Sequence, residues 1–455
     1  MKQPTRALAE RIAAARYGQL PDTARTVGRQ ALLDYLGVTI AGAEEPLSRI
    51  LREQALEEGG NPQAQLIARP ERVSVRQAAL INGAAGHAHD YDDVHDAMIG
   101  HPTVPVAPAV LALAERLGSP GTALLTALCA GIDAECAVGR YVGASHYAKG
   151  WHATGTVGTF GATAAAAVLL GLDADQTATA LGIAGTQAAG LKSQFGTMCK
   201  PLHAGHAAAT GVEAALLAAR GFSSRPDILE TAQGFGATQS EAPSAERLLA
   251  ALEAPSLVPD ICFKYHAACY LTHSAIEAAR SLRLTHQLQA QDVQSVTVQV
   301  NEGHFGVCNI QAPTTGLEAK FSLRFTVAMA LAGEDTSSIA RFDDALVRQP
   351  LLVTLRDKVT VVAHPRPRPE TVVQITTSDG RVLSEEANVA IPLRDLDDQW
   401  RRLTGKFRTL VTPLYGANAT QLLIDACAGV DTLASGVELS RLLAAPTERQ
   451  EARRA

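Results

Sequence analysis

Residues whose side chains transfer protons are concentrated between positions 87 and 101. Eight His and Asp residues fall within these fifteen positions. If the segment is helical, Asp90 and Asp93 lie one turn apart with His87 and Tyr91 on the same side, whereas Asp92 points elsewhere. Crowded ionisable groups shift one another's pKa values, so the segment predicts general acid–base chemistry.

Two other interpretations of this segment stay open. One is a solvated acidic helix end. The other is a metal-dependent hydrolase built on His87, His89 and Asp90, because these residue types bind zinc or iron. The order HExxH is absent, and an HxHxDH order fails at Tyr91 and Asp92, so we favour the interpretation without a metal.

Two further patches precede helical patterns rich in small residues. Lys149 and His152 lie in KGWHATGTVG, and Lys200 lies in CKPLHAGH, where Pro201 suits the first turn of a helix. The free N–H groups and the dipole of a helix N-terminus attract anions. These residues are candidates for binding a negatively charged ligand, although a buried core histidine and a solvent-directed lysine would give the same pattern.

A fourth patch, FKYHAACYLTH at 263–273, lies at a predicted domain junction, where pockets form. It supplies Lys264, Tyr265, His266 and His273, unless it is an ordinary basic surface loop. With the other patches it predicts a pocket rich in imidazoles and cations, with one or more carboxylates. Such a pocket suits a polyanionic small molecule that undergoes proton transfer.

The elements that position these residues are mostly helices. From about residue 5 to 260, apolar residues recur at spacings of three and four, and near residue 290 the pattern changes to β-branched alternation. The predicted strands are 293–300, 358–363 and 371–377. The predicted domains of this mainly α protein are 1–266 (helical), 267–395 (smaller, α+β) and 396–455 (helices that return to the helical domain).

The composition limits the class of protein. Of the 455 residues, 47% are hydrophobic and 4% aromatic, a balance that favours packed helices over a β-sandwich. The net charge of −6 makes nucleic acid an improbable main partner. We find no signal peptide and no run of about 18 uncharged apolar residues, so we predict no membrane span. Seven cysteines without CxxC spacing indicate reduced thiols and a cytoplasmic location.

Five segments resemble the MmgE/PrpD family, in the family's order and over nearly the whole chain. They are GAAGHAHDYDDVHD (83–96), HPTVPVAPAVLALAE (101–115), GWHATGTVGTFGATAAAAVLLGL (150–172), KPLHAGHAAATGVEAALLAARGF (200–222) and EAKFSLRFTVAMAL (318–331). Known members include 2-methylcitrate dehydratase, cis-aconitate decarboxylase and iminodisuccinate epimerase. The resemblance implies a large all-helical domain, a smaller α+β domain like the chorismate mutase fold, a homodimer, and no metal or other cofactor.

The resemblance also assigns site residues. Those that match the family's active-site positions are Asp90, His101, His152, Lys200 and Lys264. Further substrate contacts are predicted for His87, Tyr91, Lys149, Tyr265, His266 and His273. Four positions depart from the family pattern: Val94 replaces Thr or Ser, Cys269 a pocket His, Phe325 a Tyr, and His266 a Pro. The departures argue against decarboxylation and weaken the case for citrate-type dehydration.

The chemistry that these relatives share is proton removal next to a carboxylate. A C–H at that position is a very weak acid, so its removal needs a positioned base and cations that stabilise the developing charge. Asp90 and His101, or a histidine beside Tyr265, would supply the base and the acid. Lys200 and Lys264, together with a histidine, would bind carboxylates.

The predicted function is a cofactor-independent hydro-lyase of a small di- or tricarboxylate, of the 2-methylcitrate or citrate dehydratase type. An epimerase of a polycarboxylate such as iminodisuccinate has nearly equal weight, because proton return to the opposite face needs no leaving hydroxyl. A cis-aconitate-type decarboxylase and the metal-dependent hydrolase are less favoured. A non-catalytic scaffold that binds a polycarboxylate is the remaining rival.

Overall fold

The computed structural model describes residues 3–365 and 368–444, which divide into two compact units. The first unit joins Met1–Phe263 to Leu393–Ala455, and the second is Lys264–Pro392. The predicted limits of the smaller domain, 267 and 395, are each three residues from these boundaries. Of the predicted C-terminal segment, residues 445–455 lie outside the described residues.

Helices dominate both units, and the fold is mainly α, with a large helical unit and a small α+β unit. In chain order the helices are α1 (Pro4–Ala13), α2 (Asp22–Gly42), α3 (Pro46–Glu58), α4 (Val75–His87), α5 (Thr103–Leu117), α6 (Gly121–Ala148), α7 (Ala153–Leu170), α8 (Ala174–Gly185), α9 (Cys199–Ala218), α10 (Phe235–Gln239), α11 (Ala245–Glu253), α12 (Tyr270–Thr285), α13 (Phe305–Cys308), α14 (Gly316–Ala319), α15 (Leu323–Ala332), α16 (Asp344–Val347), α17 (Pro350–Asp357), α18 (Leu396–Ala428) and α19 (Gly436–Leu443). Helices α12 to α17 belong to the second unit. In the first unit, β1 (Ala64–Gln65) and β2 (Arg72–Val73) form a short antiparallel pair.

Small residues allow α4, α7 and α9 to pack closely. A Cβ atom on Gly83 of α4 would lie only 2.9 Å from the Cα atom of Gly205 of α9, so the two backbones nearly touch. On its other side, α9 meets Ala162 of α7 through Gly211. Because α4 ends at His87 shortly after Gly83, and α9 begins shortly before Gly205, the C-terminus of α4 and the N-terminus of α9 lie side by side.

Helices α6 and α7 correct one expectation from the sequence. Each is long and apolar enough to cross a membrane, although the sequence analysis predicted no such run. In each helix, however, 83% of the tested window is buried inside the protein. This burial is typical of core helices in a large helical unit.

Two buried carboxylic acids lie beside these helices. Glu135 of α6 is 0% exposed and packs on Gly161 of α7, and neither of its carboxyl oxygens has a hydrogen-bond partner among the described residues. Burial, and then the charge of Asp93, raises the pKa of Glu135 well above its usual value. Burial, and then the charge of Asp34, raises the pKa of Asp93 to about 8, although Thr103 donates two hydrogen bonds to it. Both acids are therefore mainly neutral at neutral pH.

Replacing Glu135 with Gln is expected to flatten the pH dependence of stability. The folded protein keeps a proton that the unfolded chain releases above about pH 4.5, so stability falls as the pH rises above that value. One such group contributes a slope of about 1.4 kcal/mol per pH unit, which amounts to about 3 kcal/mol between about pH 5 and about pH 7. Urea unfolding across that range measures the difference between wild type and Glu135→Gln.

The control for this prediction is Glu213→Gln, at a partly exposed glutamate that pairs with Arg76. Its stability curve should run parallel to that of wild type, because an exposed pair perturbs the pKa little. A Glu135→Gln curve that also ran parallel to wild type would show that Glu135 is not held neutral by the fold.

The second unit contains a four-stranded sheet. Its strands are β3 (Val293–Val300), β4 (Val359–Ala363), β5 (Thr371–Thr377) and β6 (Val382–Ala387). They are ordered β4-β3-β5-β6, with β3 and β4 parallel and the other pairs antiparallel. Helix α12 packs against β5 and β6, α15 packs against β4, and the two helices contact each other, so they share one face of the sheet. The predicted strands correspond to β3, β4 and β5, whereas β6 was not predicted.

Candidate active site

The segment between α4 and α5 is a loop, and this changes which acidic residue reaches the histidines. Helix α4 ends at His87, and Asp90 adopts a left-handed backbone conformation with φ of 51°. Aspartate tolerates this conformation better than most residues, because its short side chain hydrogen-bonds locally. The helical prediction beyond His87 is therefore wrong. Asp93 turns to Thr103, and Asp92, which was expected to point elsewhere, contacts His87.

Asp92 is the buried centre of the site. Its side chain is 2% exposed, and its Oδ2 atom lies 2.9 Å from Nδ1 of His87 and 3.1 Å from Nδ1 of His101. The two imidazole rings meet edge to face, with centroids 4.6 Å apart. Burial opposes ionisation of Asp92, but His101 and His87 together hold its pKa well below the usual range. An ionised carboxylate therefore lies between two histidines.

Asp90 and Lys200 form the more exposed side of the site. The Lys200 Nζ atom lies 2.9 Å from Asp90 Oδ1, and Nε2 of His101 lies 3.4 Å from the same oxygen. The Asp90 side chain is 45% exposed, whereas those of Lys200 and His101 are 15% and 11% exposed. Lys200 lies in the first turn of α9, where free N–H groups add to the positive potential. His101 thus directs one ring nitrogen to buried Asp92 and the other to this open side.

Two more imidazoles adjoin the cluster. His152 immediately precedes α7, and its Nδ1 atom lies 3.0 Å from Nδ1 of His203 in α9. At this distance one ring donates the hydrogen bond and the other accepts it. The His152 ring stacks on His87 at 5.7 Å and meets the Phe195 ring edge-on at 5.0 Å, and Lys200 Nζ lies 5.4 Å from the Phe195 centroid. The structure therefore brings together these candidates from the sequence: His87, Asp90, His101, His152 and Lys200.

Most of these imidazoles are neutral in the resting site. Burial lowers the pKa of His87 to about 4, and Lys200 and His101 add to the effect of burial. Burial, with the neighbouring cationic groups, lowers the pKa of His152 still further below its usual value. Burial also lowers the pKa of His203. The site can therefore take up protons when an anion enters it.

Binding of citrate is expected to be accompanied by proton uptake of roughly one proton per site, because carboxylates within about 4–6 Å raise the pKa of an imidazole by one unit or more. Calorimetric titration near pH 7, in buffers of different ionisation enthalpy, measures this uptake. His203→Asn should reduce it, since the variant lacks one acceptor of the His152 pair. Proton release, or an enthalpy that does not depend on the buffer, would contradict the prediction.

Three residues singled out from the sequence lie in other surroundings. Tyr91 is buried, and its ring centroid lies 3.9 Å from Nζ of Lys406. Lys149 is exposed at the C-terminal end of α6. His89 directs its Nε2 atom to Glu45, at 3.7 Å. The metal triplet that included His89 is therefore not assembled.

A different group of side chains has spacings that could suit a metal ion. Among the described residues, His87, Asp90, Asp92 and His101 offer nitrogen and oxygen atoms within 4.8 Å of one another. In this structure, however, both Nδ1 atoms face Asp92, and the Lys200 ammonium lies against Asp90. An ammonium in that place competes with a metal for the same carboxylate. The arrangement therefore fits an acid–base cluster better than a metal centre.

The candidates of the second unit form a histidine cluster. Nε2 of His266 lies 3.0 Å from Glu277, and its Nδ1 lies 2.7 Å from Thr336 Oγ1. The His273 ring is 5.0 Å from that of His266, and its Nε2 donates to a backbone carbonyl. Burial, and then His266, holds the pKa of His273 well below its usual value. Within this unit Lys264 is buried and Tyr265 half-buried.

Sequence reasoning missed three residues of the first unit's cluster: Asp92, His203 and Phe195. A loop after His87 would have left the direction of Asp92 open. His203 follows Lys200 by three residues on a predicted helix, a spacing that places both on one side. Phe195 carried no comparable signal, because it lies outside any predicted helix.

Comparison with known proteins confirms the resemblance. The model of the MmgE/PrpD N-terminal domain matches residues 6–248, and that of the C-terminal domain matches residues 266–429. The chain is 28% identical to cis-aconitate decarboxylase of Mus musculus, over 99% of this chain and 96% of that protein. The proteins of the same name from Homo sapiens and Aspergillus terreus are 27% and 26% identical, over 98% and 94% of this chain and 96% and 93% of their own lengths. With both domains matched over most of its length, this chain belongs to the MmgE/PrpD family of enzymes.

Proposed function

We propose that the protein is a lyase that transfers a proton at the carbon next to a carboxylate of a small di- or tricarboxylate. The observation that carries the proposal is the placement of His101 between buried Asp92 and the Lys200–Asp90 pair. This placement leaves Nε2 of His101 on the open side, where it can take or give a proton. The names of the relatives support the substrate class, because cis-aconitate is a tricarboxylate.

Charge is the main obstacle to this reaction. Removing a proton next to a carboxylate places a second negative charge on the oxygens of that carboxylate, so the site must stabilise it as it develops. Lys200 and the N-termini of α7 and α9 provide fixed positive potential, and the His152–His203 pair can become cationic. These groups therefore bind the substrate carboxylates and stabilise the intermediate.

Two groups are positioned to move protons. Nε2 of His101 accepts the proton from carbon, with the electron pair remaining on the substrate. Asp90 is partly exposed and lies against both His101 and Lys200, so it is the second group that can exchange a proton with the substrate. The same two groups can protonate a leaving hydroxyl or return a proton to carbon.

Three reactions share this proton step and differ in what leaves. We place loss of hydroxide from a citrate-type substrate first, because protonated His101 can donate to the leaving oxygen. Decarboxylation of cis-aconitate is the second candidate, and the names of the relatives favour it. Epimerisation needs a second acid–base group on the opposite face of the carbon, a role for which Asp90 is the candidate.

The experiment is proton NMR in D₂O with a panel of citrate, 2-methylcitrate, cis-aconitate, malate, aspartate and iminodisuccinate stereoisomers, with and without EDTA. Deuterium next to a carboxylate, unaffected by EDTA, would support the proposal. An alkene formed from citrate identifies a hydro-lyase, carbon dioxide released from cis-aconitate a decarboxylase, and an inverted centre an epimerase. Exchange on no member of the panel, or activity abolished by EDTA and restored by zinc, would overturn it.

Three further expectations stay predictions. Lys264→Met should raise the KM of the substrate if Lys264 binds a carboxylate. A homodimer would have twice the chain mass of 47.7 kDa in light scattering. A cytoplasmic location can be tested by fractionation of the native cells.

A further inference from the structure

We infer that Asp92 and His87 are positioning residues for the acid–base step: Asp92 holds the ring of His101 with Nε2 toward Asp90 and Lys200, and His87 holds Asp92 from its other side. The inference rests on the proposed function, because it concerns how His101 is prepared for proton transfer. It goes beyond it by assigning a role to two buried residues that do not touch the substrate.

The first step concerns the tautomer of His101. An ionised carboxylate only accepts hydrogen bonds, so a ring nitrogen at hydrogen-bond distance from Asp92 is the one that carries the proton. Nδ1 of His101 lies 3.1 Å from Asp92 Oδ2. A neutral imidazole has a single N–H group, so Nε2 of His101 has the lone pair. The lone pair therefore lies on the side of Asp90 and Lys200, where the substrate proton would be taken.

The second step concerns His87. Its side chain is fully buried, and Nδ1 lies 3.0 and 2.9 Å from the two oxygens of Asp92. Among the described residues, its Nε2 atom has no hydrogen-bond partner. The polar contact of His87 is thus directed to Asp92, as expected of a residue that orients another. Because His87 is neutral, it donates to Asp92 without neutralising the carboxylate charge.

The third step concerns the other charges near Asp92. Lys406 and Asp93 lie close enough to interact electrostatically with it. Lys406 donates its two hydrogen bonds to Asp34 and to a backbone carbonyl, and Asp93 accepts from Thr103. Neither is hydrogen-bonded to Asp92, so the two histidines determine its orientation.

The first experiment needs no substrate. Nitrogen-15 NMR of histidine-labelled protein at neutral pH identifies which ring nitrogen carries the proton. The expected result is protonation of Nδ1 in both His87 and His101. His95 is an internal control of opposite tautomer, because its Nδ1 accepts from Ala97 N–H and its Nε2 donates to a carbonyl. Protonation of His87 or His101 on Nε2 alone would overturn the inference.

The second experiment measures turnover per folded protein. Asp92→Asn keeps the shape but lets the amide donate to one ring, which favours the wrong tautomer. We expect kcat for deuterium exchange to fall by about 10²- to 10⁴-fold with KM changed by less than about threefold, and the NMR signature of His101 to change with it. His87→Gln keeps a donor to Asp92 and should retain most of the activity, whereas His87→Leu should lose about tenfold or more.

Two outcomes separate the possible failures. If Asp92→Asn and His87→Leu lower only the unfolding temperature, with kcat per folded molecule and the His101 tautomer unchanged, the two residues are merely structural and the inference is wrong. If the wild-type tautomers are as expected but no polycarboxylate exchanges deuterium, the proposed function fails while the assigned geometry stands.

Discussion

His101→Gln is expected to lower the rate of deuterium exchange into a bound polycarboxylate by about 10²- to 10⁴-fold, the range produced by loss of a general acid–base group. Gln retains hydrogen-bonding capacity but has no titratable nitrogen. Binding should change by less than about threefold, because the cations that attract carboxylates remain in place. Exchange kinetics by proton NMR and ligand affinity by calorimetry, on the same preparations, separate the two effects.

The matched control for this variant is His95→Gln. His95 belongs to the same loop and is also buried, but its ring nitrogens contact the backbone of Ala97 and Leu257. We expect this variant to alter stability and to leave the exchange rate per folded molecule unchanged. Equal losses in both variants would mean that His101 acts only through the structure of the loop. Full exchange in His101→Gln would assign the proton transfer to another group, with Asp90 the first to test.

The strands of the second unit show what a local pattern can predict. The segment VQSVTVQV alternates β-branched residues with polar ones, and the structure has β3 over the same residues, with Val296 and Val298 buried. Strand β6 has no such alternation, because it is an edge strand whose residues are exposed or half-buried. It is recruited by pairing with β5, which a local pattern does not report.

The loop after α4 shows why the centre of the site was misassigned. Residues 88–96 contain neither Gly nor Pro, so nothing in the composition signals the end of the helix at His87. The change of direction occurs at Asp90, whose left-handed backbone is stabilised by tertiary contacts. With that one residue out of helical geometry, the direction of Asp92 follows from packing and not from helical spacing.

The histidine pair shows the other limit of sequence reasoning. His152 and His203 are 51 positions apart, and their contact depends on the close approach of α7 and α9. Glycine and alanine in those helices predict that some backbones pack closely, but not which ones. The types of residue in the site could therefore be predicted, whereas their pairing required the fold.

A buried ion pair connects the site loop to the C-terminal helices of the first unit. Lys406 of α18 donates to Asp34 of α2 at 2.6 Å and to the carbonyl of Tyr91 at 2.7 Å, and both charged side chains are almost fully buried. Burial lowers the pKa of Lys406, while Asp34 opposes that shift. The ammonium therefore joins α2, α18 and the loop that contains Asp92 at a single point.

Lys406→Met is expected to lower the free energy of unfolding by about 3–5 kcal/mol, because it leaves the Asp34 carboxylate buried without its cation. Lys406→Met combined with Asp34→Asn should recover most of this loss, since replacing both members of a buried pair is often nearly neutral. Urea unfolding measures both, and exposed Lys149→Met, expected within about 0.5 kcal/mol of wild type, is the control. A loss below about 1 kcal/mol in the single variant would show that solvent reaches Asp34. The double variant should still exchange deuterium more slowly per folded molecule, because the Tyr91 carbonyl loses the donor that fixes the loop on which Asp92 and His101 lie.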